Sequence, residues 1–147
     1  MLGTNGNDHL FQLCYISRAA RLMATRELSN LLAAARKYNV AHGITGMLLY
    51  KDLSFLQILE GPRDALATLY ALIRVDQRHT KVRTLFENPI DAREFADWTM
   101  GFQNLDGVDL MTIEGYSDLM QADGSAQHLF DNPTRAKRLL LLFRAQS

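Results

Sequence analysis

The sequence contains a single cysteine, Cys14, and three prolines in 147 residues. One thiol excludes an intrachain disulfide, a CxxC redox pair and a cysteine-based zinc site. No apolar run approaches the roughly 20 residues a membrane-spanning helix needs; the longest conspicuous one is the stretch 139–143. A surplus of charge is also missing. Sixteen Lys and Arg balance sixteen Asp and Glu, a formal net charge of +0. That balance argues against a protein held to nucleic acid, or to an anionic membrane, mainly by charge. The first eight residues have neither a basic start nor an apolar stretch, so they do not read as a signal peptide. The expectation is a soluble, cytoplasmic protein. Catalytic signatures are absent too: there is no GxSxG, no P-loop and no HExxH. GxGxxG is missing, so a dinucleotide would not be held in the Rossmann manner. His9, His42, His79 and His128 are scattered and suggest no metal site.

What is present is enough to bury a core without covalent staples, since 48% of the residues are hydrophobic. Charge is distributed unevenly. Residues 1–104 carry twelve basic and ten acidic side chains, residues 105–131 carry six acids and no base, and residues 132–147 carry four bases and no acid. The break near residue 105 predicts a core domain over 1–104 and a helical extension over 105–147.

The core domain reads as alternating strands and helices. The apolar, aromatic run 9–16 is a strand. Thr25 suits an N-cap, and Leu28, Leu31, Leu32 and Ala35 then give a helical stripe as far as Tyr38. Residues 44–50 and 55–60 form a hairpin around the polar pair Lys51 and Asp52. Pro62 fits the first position of a second helix, carried by Leu66, Leu69, Tyr70 and Ile73 to about His79. A fourth strand spans 81–87, stopped by Pro89, and a fifth spans 98–103. The order β-α-β-β-α-β-β predicts an α+β, ferredoxin-like sheet with two helices on one face. The tail adds helices at about 109–121 and 133–145, packed on the free face.

Several residues fit a plain core poorly. Strand alternation puts Phe55, Gln57 and Leu59 on one face and Leu56 and Ile58 on the other, so the strand looks buried on both sides. The amide of Gln57 then needs a side chain or a ligand to bond it. Tyr15 shares a face with Phe11 and Leu13; its hydroxyl is either tied to backbone or a redox-capable phenol beside a cofactor. Asn39 follows the first helix and reads either as its C-terminal cap or as a ligand contact. Arg78 and His79 suit the end of the second helix, but Asp76 there is unfavourable to the helix dipole and hints at a local partner such as a hydroxyl-rich ligand. Trp98, Met100 and Phe102 alternate along the fifth strand as a core stripe or a cofactor wall. Cys14 reads as a structural thiol.

Taken together, these segments resemble the BLUF domain, a flavin-based blue-light sensor module, over residues 9–104. The residues that carry the resemblance are Tyr15 and Ser17, Asn39 with 43–46 (GITG), the third strand 55–61 (FLQILEG), Asp76 with Arg78 and His79, and Trp98 with Met100. The resemblance implies FAD bound non-covalently between the two helices, with FMN as an acceptable substitute. It implies that Gln57 and Asn39 bond the polar edge of the ring and that Tyr15 bonds Gln57. Arg78 would approach the pyrimidine carbonyl, and Asp76 and His79 the ribityl side. Ile44 and Ile73 would be apolar walls, Lys37 would assist at the phosphates, and Ser17 and Leu59 complete the flavin-binding set. Tyr38 departs from the smaller or more polar residue usual in its place.

The implied activity is signalling, not enzymatic turnover. Light drives an electron and a proton from Tyr15, Gln57 rotates or changes tautomer, and Met100 and Trp98 pass the change to the fifth strand and the tail. Without an output domain, the chain resembles short stand-alone sensors, which assemble as homo-oligomers and act on a partner: a response regulator, a cyclic-dinucleotide enzyme or a transcription factor. No membrane or direct nucleic-acid contact is expected. The alternatives are a small ferredoxin-like enzyme and a flavin-free regulatory domain.

Overall fold

The computed structural model describes residues 9–106 and 133–146. Its strands are β1 (Leu10–Ala19), β2 (Thr45–Lys51), β3 (Ser54–Pro62), β4 (His79–Ile90) and β5 (Gly101–Asn104). Its helices are α1 (Thr25–His42), α2 (Arg63–Val75) and α3 (Pro133–Gln146). The sheet order is β4-β1-β3-β2-β5, antiparallel except for the parallel pair β2 and β5. This is the expected ferredoxin-like α+β arrangement, with β5 added beside β2. The expected helix near 109–121 lies outside the described residues.

The two faces of the sheet carry separate cores. Leu13 and Tyr15 of β1, Leu48 and Tyr50 of β2, and Phe55 and Leu59 of β3 pack with Leu28 and Leu32 of α1 and Leu66 of α2. Cys14, Met47, Leu49, Leu56 and Ile58 point the other way and meet Ala136, Leu139, Leu140 and Phe143 of α3. Alternation along each strand assigns the residues to their faces. It also explains why β3, the middle strand, is apolar on both sides. The α3 segment reads RLLLLFR because its buried face is wide, and the helix covers the sheet face opposite α1 and α2.

Element ends differ from the sequence reading in ways the structure explains. Helix α1 runs four residues beyond Tyr38, so Asn39 lies inside its last turn. The cap is Gly43, whose φ of 69° is the left-handed conformation glycine adopts without strain, and its N–H bonds the Asn39 carbonyl. At the other end the N-cap is Ala24, not Thr25, and Glu27 accepts a bond from the Ala24 N–H at 3.2 Å. Pro62 is the N-cap of α2, one residue before its first turn, and still belongs to β3. Helix α2 ends at Val75, so Asp76 is its C-cap and His79 already begins β4. Pro89 does not stop β4; it pairs with Phe11 within the strand. An edge strand tolerates proline because one side of it needs no donor. The hairpin turn sits at Asp52 and Leu53, with φ of 51° and 66°, the mirror-image geometry that matches strand twist.

The connection 91–100 is tied down on the α3 side of the sheet. Glu60, wholly buried, accepts bonds from Gln12 Nε2 (2.9 Å), Thr45 Oγ1 (3.2 Å) and the N–H groups of Glu94 (2.8 Å) and Phe95 (2.9 Å). Arg93 donates to the Gly43 carbonyl (2.6 Å), Thr45 Oγ1 (2.8 Å) and the Glu60 carbonyl (3.0 Å). Helix α3 joins this cluster through Lys137 on the Glu94 carboxylate (2.8 Å) and Arg144 on the Glu94 carbonyl (2.5 Å).

The packing of α3 makes a stability prediction. Phe143 is 2% exposed. Phe143→Ala should destabilise the domain by about 3–5 kcal/mol through lost burial and the cavity left behind, read as a lower urea midpoint. A loss below about 1 kcal/mol would mean that α3 is not part of the cooperative core.

Candidate functional site

A cavity of about 240 Å³ lies between α1, α2 and the sheet. Its floor comes from the central strands. Tyr15 on β1 and Gln57 on β3 are direct partners in the antiparallel register, and Leu48 on β2 faces Gln57 from the other side. The three side chains therefore project on one face, side by side. Helix α1 supplies one wall, with Leu31, Ala34, Ala35, Tyr38 and Asn39, and α2 the other, with Leu69, Leu72 and Ile73. Asp76, Arg78 and His79 close one end from the turn into β4. The cavity is thus apolar on its walls and polar at its floor and end, the pattern of a site for a flat, largely apolar ligand with a few oriented polar groups.

Hydrogen bonds along the floor form a chain. The Tyr15 hydroxyl donates to Gln57 Oε1. Gln57 Nε2 in turn donates to the Met100 sulfur at 3.3 Å. Both ends of one amide are therefore committed, its acceptor to a phenol and its donor to a thioether. Asn39, 1% exposed, donates from Nδ2 to the Thr99 carbonyl at 2.6 Å. This places the Asn39 amide in the cavity wall and not at a helix cap. Burial pushes the Tyr15 phenol well above its ordinary range, helped by Tyr70, Cys14 and Asp76 nearby. The Tyr70 ring centre lies 5.4 Å from that of Tyr15, and Tyr70 shares a 2.6 Å bond with Thr84.

At the polar end, Arg78 holds Asp76 by bonds of 3.0 and 3.1 Å from Nε and a further one from its backbone N–H at 2.9 Å. The Arg78 side chain keeps the Asp76 carboxyl below its usual range, with burial opposing. His79 Nε2 donates to the Ile73 carbonyl at 2.5 Å, and its Nδ1 meets Ser17 Oγ at 3.0 Å. The register of β1 and β4 is irregular beside Ser17, where Lys81 has a φ of 55°. That irregularity brings the His79 ring back over the end of β1.

Of the residues singled out in the sequence, Tyr15, Asn39, Gln57, Ile73, Asp76, Arg78, His79 and Met100 line this cavity. Ser17 reaches it through His79. Ile44 and Leu59 are buried in the core on the same face but do not form its walls, and Lys37 is exposed on α1 away from them. Trp98 is the clearest correction. It does not share a face with Met100; it packs on the α3 side, its ring so close to Gly101 that a Cβ there would lie 2.6 Å away. The reason is that β5 starts only at Gly101, so strand alternation does not extend back to residue 98. Met23 and Phe55, with the small side chains Ala34 and Ala35, were missed as lining residues. The run of three alanines, Ala33 to Ala35, of which the last two line the cavity, was the available signal that space is left between the helices. Cys14 faces the opposite core, where burial drives its thiol well above the normal range, as suits a structural cysteine.

Comparison with known proteins agrees with this geometry. Residues 10–101 match the family described as BLUF, sensors of blue-light using FAD. The photoactivated adenylate cyclase subunit beta of Euglena longa is 43% identical over 100 residues, which is 67% of this chain and 12% of that protein. The Euglena gracilis subunit alpha is 42% identical over 90 residues, 61% of this chain and 9% of that one. The chain thus spans only a small part of these curated relatives. Among solved structures, the BLUF protein BlrB in its dark state superposes with a TM-score of 0.77 at 31% identity, covering 96% of this chain and 99% of that one. The ground state of BlsA gives 0.75 at 28% identity, covering 90% of this chain and 87% of that one. Sequence, sheet order and cavity therefore point the same way: the chain belongs to the BLUF family of blue-light sensors.

Proposed function

We propose that this chain is a blue-light receptor that binds FAD non-covalently in the cavity between α1 and α2 and signals to a separate protein. The observation that carries the reading is the hydrogen-bond chain from Tyr15 through Gln57 to Met100 along the cavity floor. The residues present suit a flavin. The walls of Leu31, Ala35, Leu69 and Ile73 are apolar, as a flat ring needs, and the buried amides of Asn39 and Gln57 are the only amide side chains among its lining residues. Asp76, Arg78 and His79 offer donors and acceptors suited to a polyhydroxyl chain. Lys37, exposed on α1, stays a weaker candidate for the phosphates. When bound, the flavin absorbs blue light and becomes an oxidant for a phenol beside it.

The chain's own residues then make the switch. Tyr15 is held protonated by burial, so its proton leaves only when the phenol is oxidised and becomes strongly acidic. Gln57 Oε1 is the acceptor already in place for that proton. Rotating the Gln57 amide by a half-turn alters two bonds together. Its NH2 group would face the Tyr15 oxygen, and its oxygen would face the Met100 sulfur, which offers no proton. Met100 must then give way. Its displacement moves the residues leading into β5, and the 91–100 connection links these to α3. On this reading residues 1–104 sense light and the remainder carries the output. Solved relatives include a bacterial light-regulated adenylyl cyclase and a BlrP1 complex with cyclic di-GMP. On this reading the partner is a cyclic-dinucleotide enzyme, a response regulator or a transcription factor, acted on by an oligomer of this chain.

The test is a visible spectrum in darkness and after blue light. A yellow protein whose bands move slightly to the red, then recover in the dark, is expected. Gln57→Leu should keep the flavin and lose the shift; a colourless wild type that ignores added FAD would refute the reading. A second prediction concerns Tyr15 without any ligand. Its folded-state pKa is raised, so above about pH 10 the unfolded chain releases protons first and stability falls as pH rises, while below that pH it is unaffected. Urea midpoints at pH 8 and pH 11 should therefore diverge less in Tyr15→Phe than in wild type.

A further inference from the structure

Three successive carbonyls lead into β5, and each is held by a different donor. The Trp98 carbonyl accepts from the Gly46 N–H at 2.9 Å. The Thr99 carbonyl accepts from Asn39 Nδ2 at 2.6 Å, and the Met100 carbonyl accepts from Arg36 Nε at 3.0 Å. Arg36 and Asn39 are three residues apart on α1, so they share one face of the helix. Asn39 lines the cavity, but Arg36 does not. The Met100 side chain, on the same residue that Arg36 grips, accepts the Gln57 amide. The β2–β5 ladder begins only at Gly101, so Met100 itself lies outside it.

We infer that Arg36 is a positioning residue of the switch: it clamps the Met100 backbone to α1 and so sets how readily Met100 leaves Gln57 and returns. The inference rests on the photoreceptor reading for its consequence, though not for the clamp. A thioether is a weak acceptor. The bond from Gln57 therefore does little by itself to fix Met100, and the charge-assisted bond from Arg36 is the stronger of the two. Without Arg36, displacement of residues 98–100 costs less. The light-formed arrangement is then favoured relative to the resting one, and the return slows.

The experiment compares Arg36→Ala and Arg36→Lys with wild type. In flavin-free protein, amide hydrogen exchange in a peptide spanning residues 98–104 should quicken about three- to tenfold in Arg36→Ala, as local opening becomes easier. It should return most of the way in Arg36→Lys, whose ammonium also donates, while peptides from β3 stay as in wild type. In flavin-loaded protein, dark recovery should slow severalfold in Arg36→Ala, with FAD affinity within about twofold of wild type because the Arg36 side chain itself does not line the cavity. Unchanged exchange at 98–104, or faster exchange across the whole sheet, would overturn the clamp. Local loosening with normal dark recovery would overturn its role in the switch. A colourless wild type would defeat the photoreceptor reading instead, and the exchange comparison would still decide whether Arg36 holds the segment.

Discussion

The site depends on one register, the antiparallel pairing that sets Tyr15 of β1 directly opposite Gln57 of β3. A strand has a side-chain period of two, so a slip of one residue would turn Gln57 into the α3 core and bring Leu56 or Ile58 to the cavity floor. The register is fixed from both sides. Leu56 and Ile58 are wanted by the α3 face, Phe55 and Leu59 by the α1 and α2 face, and the tight turn at Asp52 and Leu53 fixes the partner strand β2. The apolar residues around Gln57 thus serve the polar one. They leave it no alternative position, and its amide is satisfied by two neighbours, Tyr15 and Met100.

Burial on both sheet faces has a second consequence. A polar side chain on such a sheet must be bonded internally, because water is not there to do it. Gln57 meets that demand at the cavity, and Glu60, three residues further along the same strand, meets it on the opposite face with four donors. The two residues meet the 91–100 connection at different points: Glu60 anchors it through the N–H groups of Glu94 and Phe95, and Gln57 touches it through a weak bond to the Met100 sulfur. One strand therefore carries both the adjustable contact and the fixed one.

Much of this was legible in the sequence, and the limits have physical causes. Strand alternation in FLQILE was enough to show a sheet buried on both faces and an amide in need of a partner. The positions of Asn39 and Trp98 were misjudged for one shared reason: the ends of elements are set by tertiary contacts, not by local pattern. Gly43 ends α1 because its left-handed conformation suits the chain there, which carries Asn39 into the helix and turns it toward Thr99. Trp98 looked like part of an alternating strand, yet the ladder starts three residues later, and the ring is free to cross to the α3 side. Arg36, Glu94 and Arg93 gave no signal, because a side chain that bonds a distant carbonyl leaves no periodic trace. Pro89 misled for the opposite reason, since a strong local rule against proline lapses at a sheet edge.

The relative strength of the bonds argues for the direction in which a change at the cavity would travel. The 91–100 connection is held at its α3 end by a buried carboxylate on two backbone N–H groups, by the three bonds of Arg93 and by contacts from Lys137 and Arg144. The charge-assisted bonds to the wholly buried Glu60 carboxylate are costly to break. At its cavity end the bond from Gln57 ends on sulfur, a poor acceptor. A perturbation of Gln57 therefore yields first at Met100. The far end moves, if at all, as a unit with the helix it grips. A connection whose one weak contact is the Met100 side chain, and whose far end is stiff, converts a small change in hydrogen bonding into displacement of a packed element, because the packed interface has few intermediate arrangements available to it.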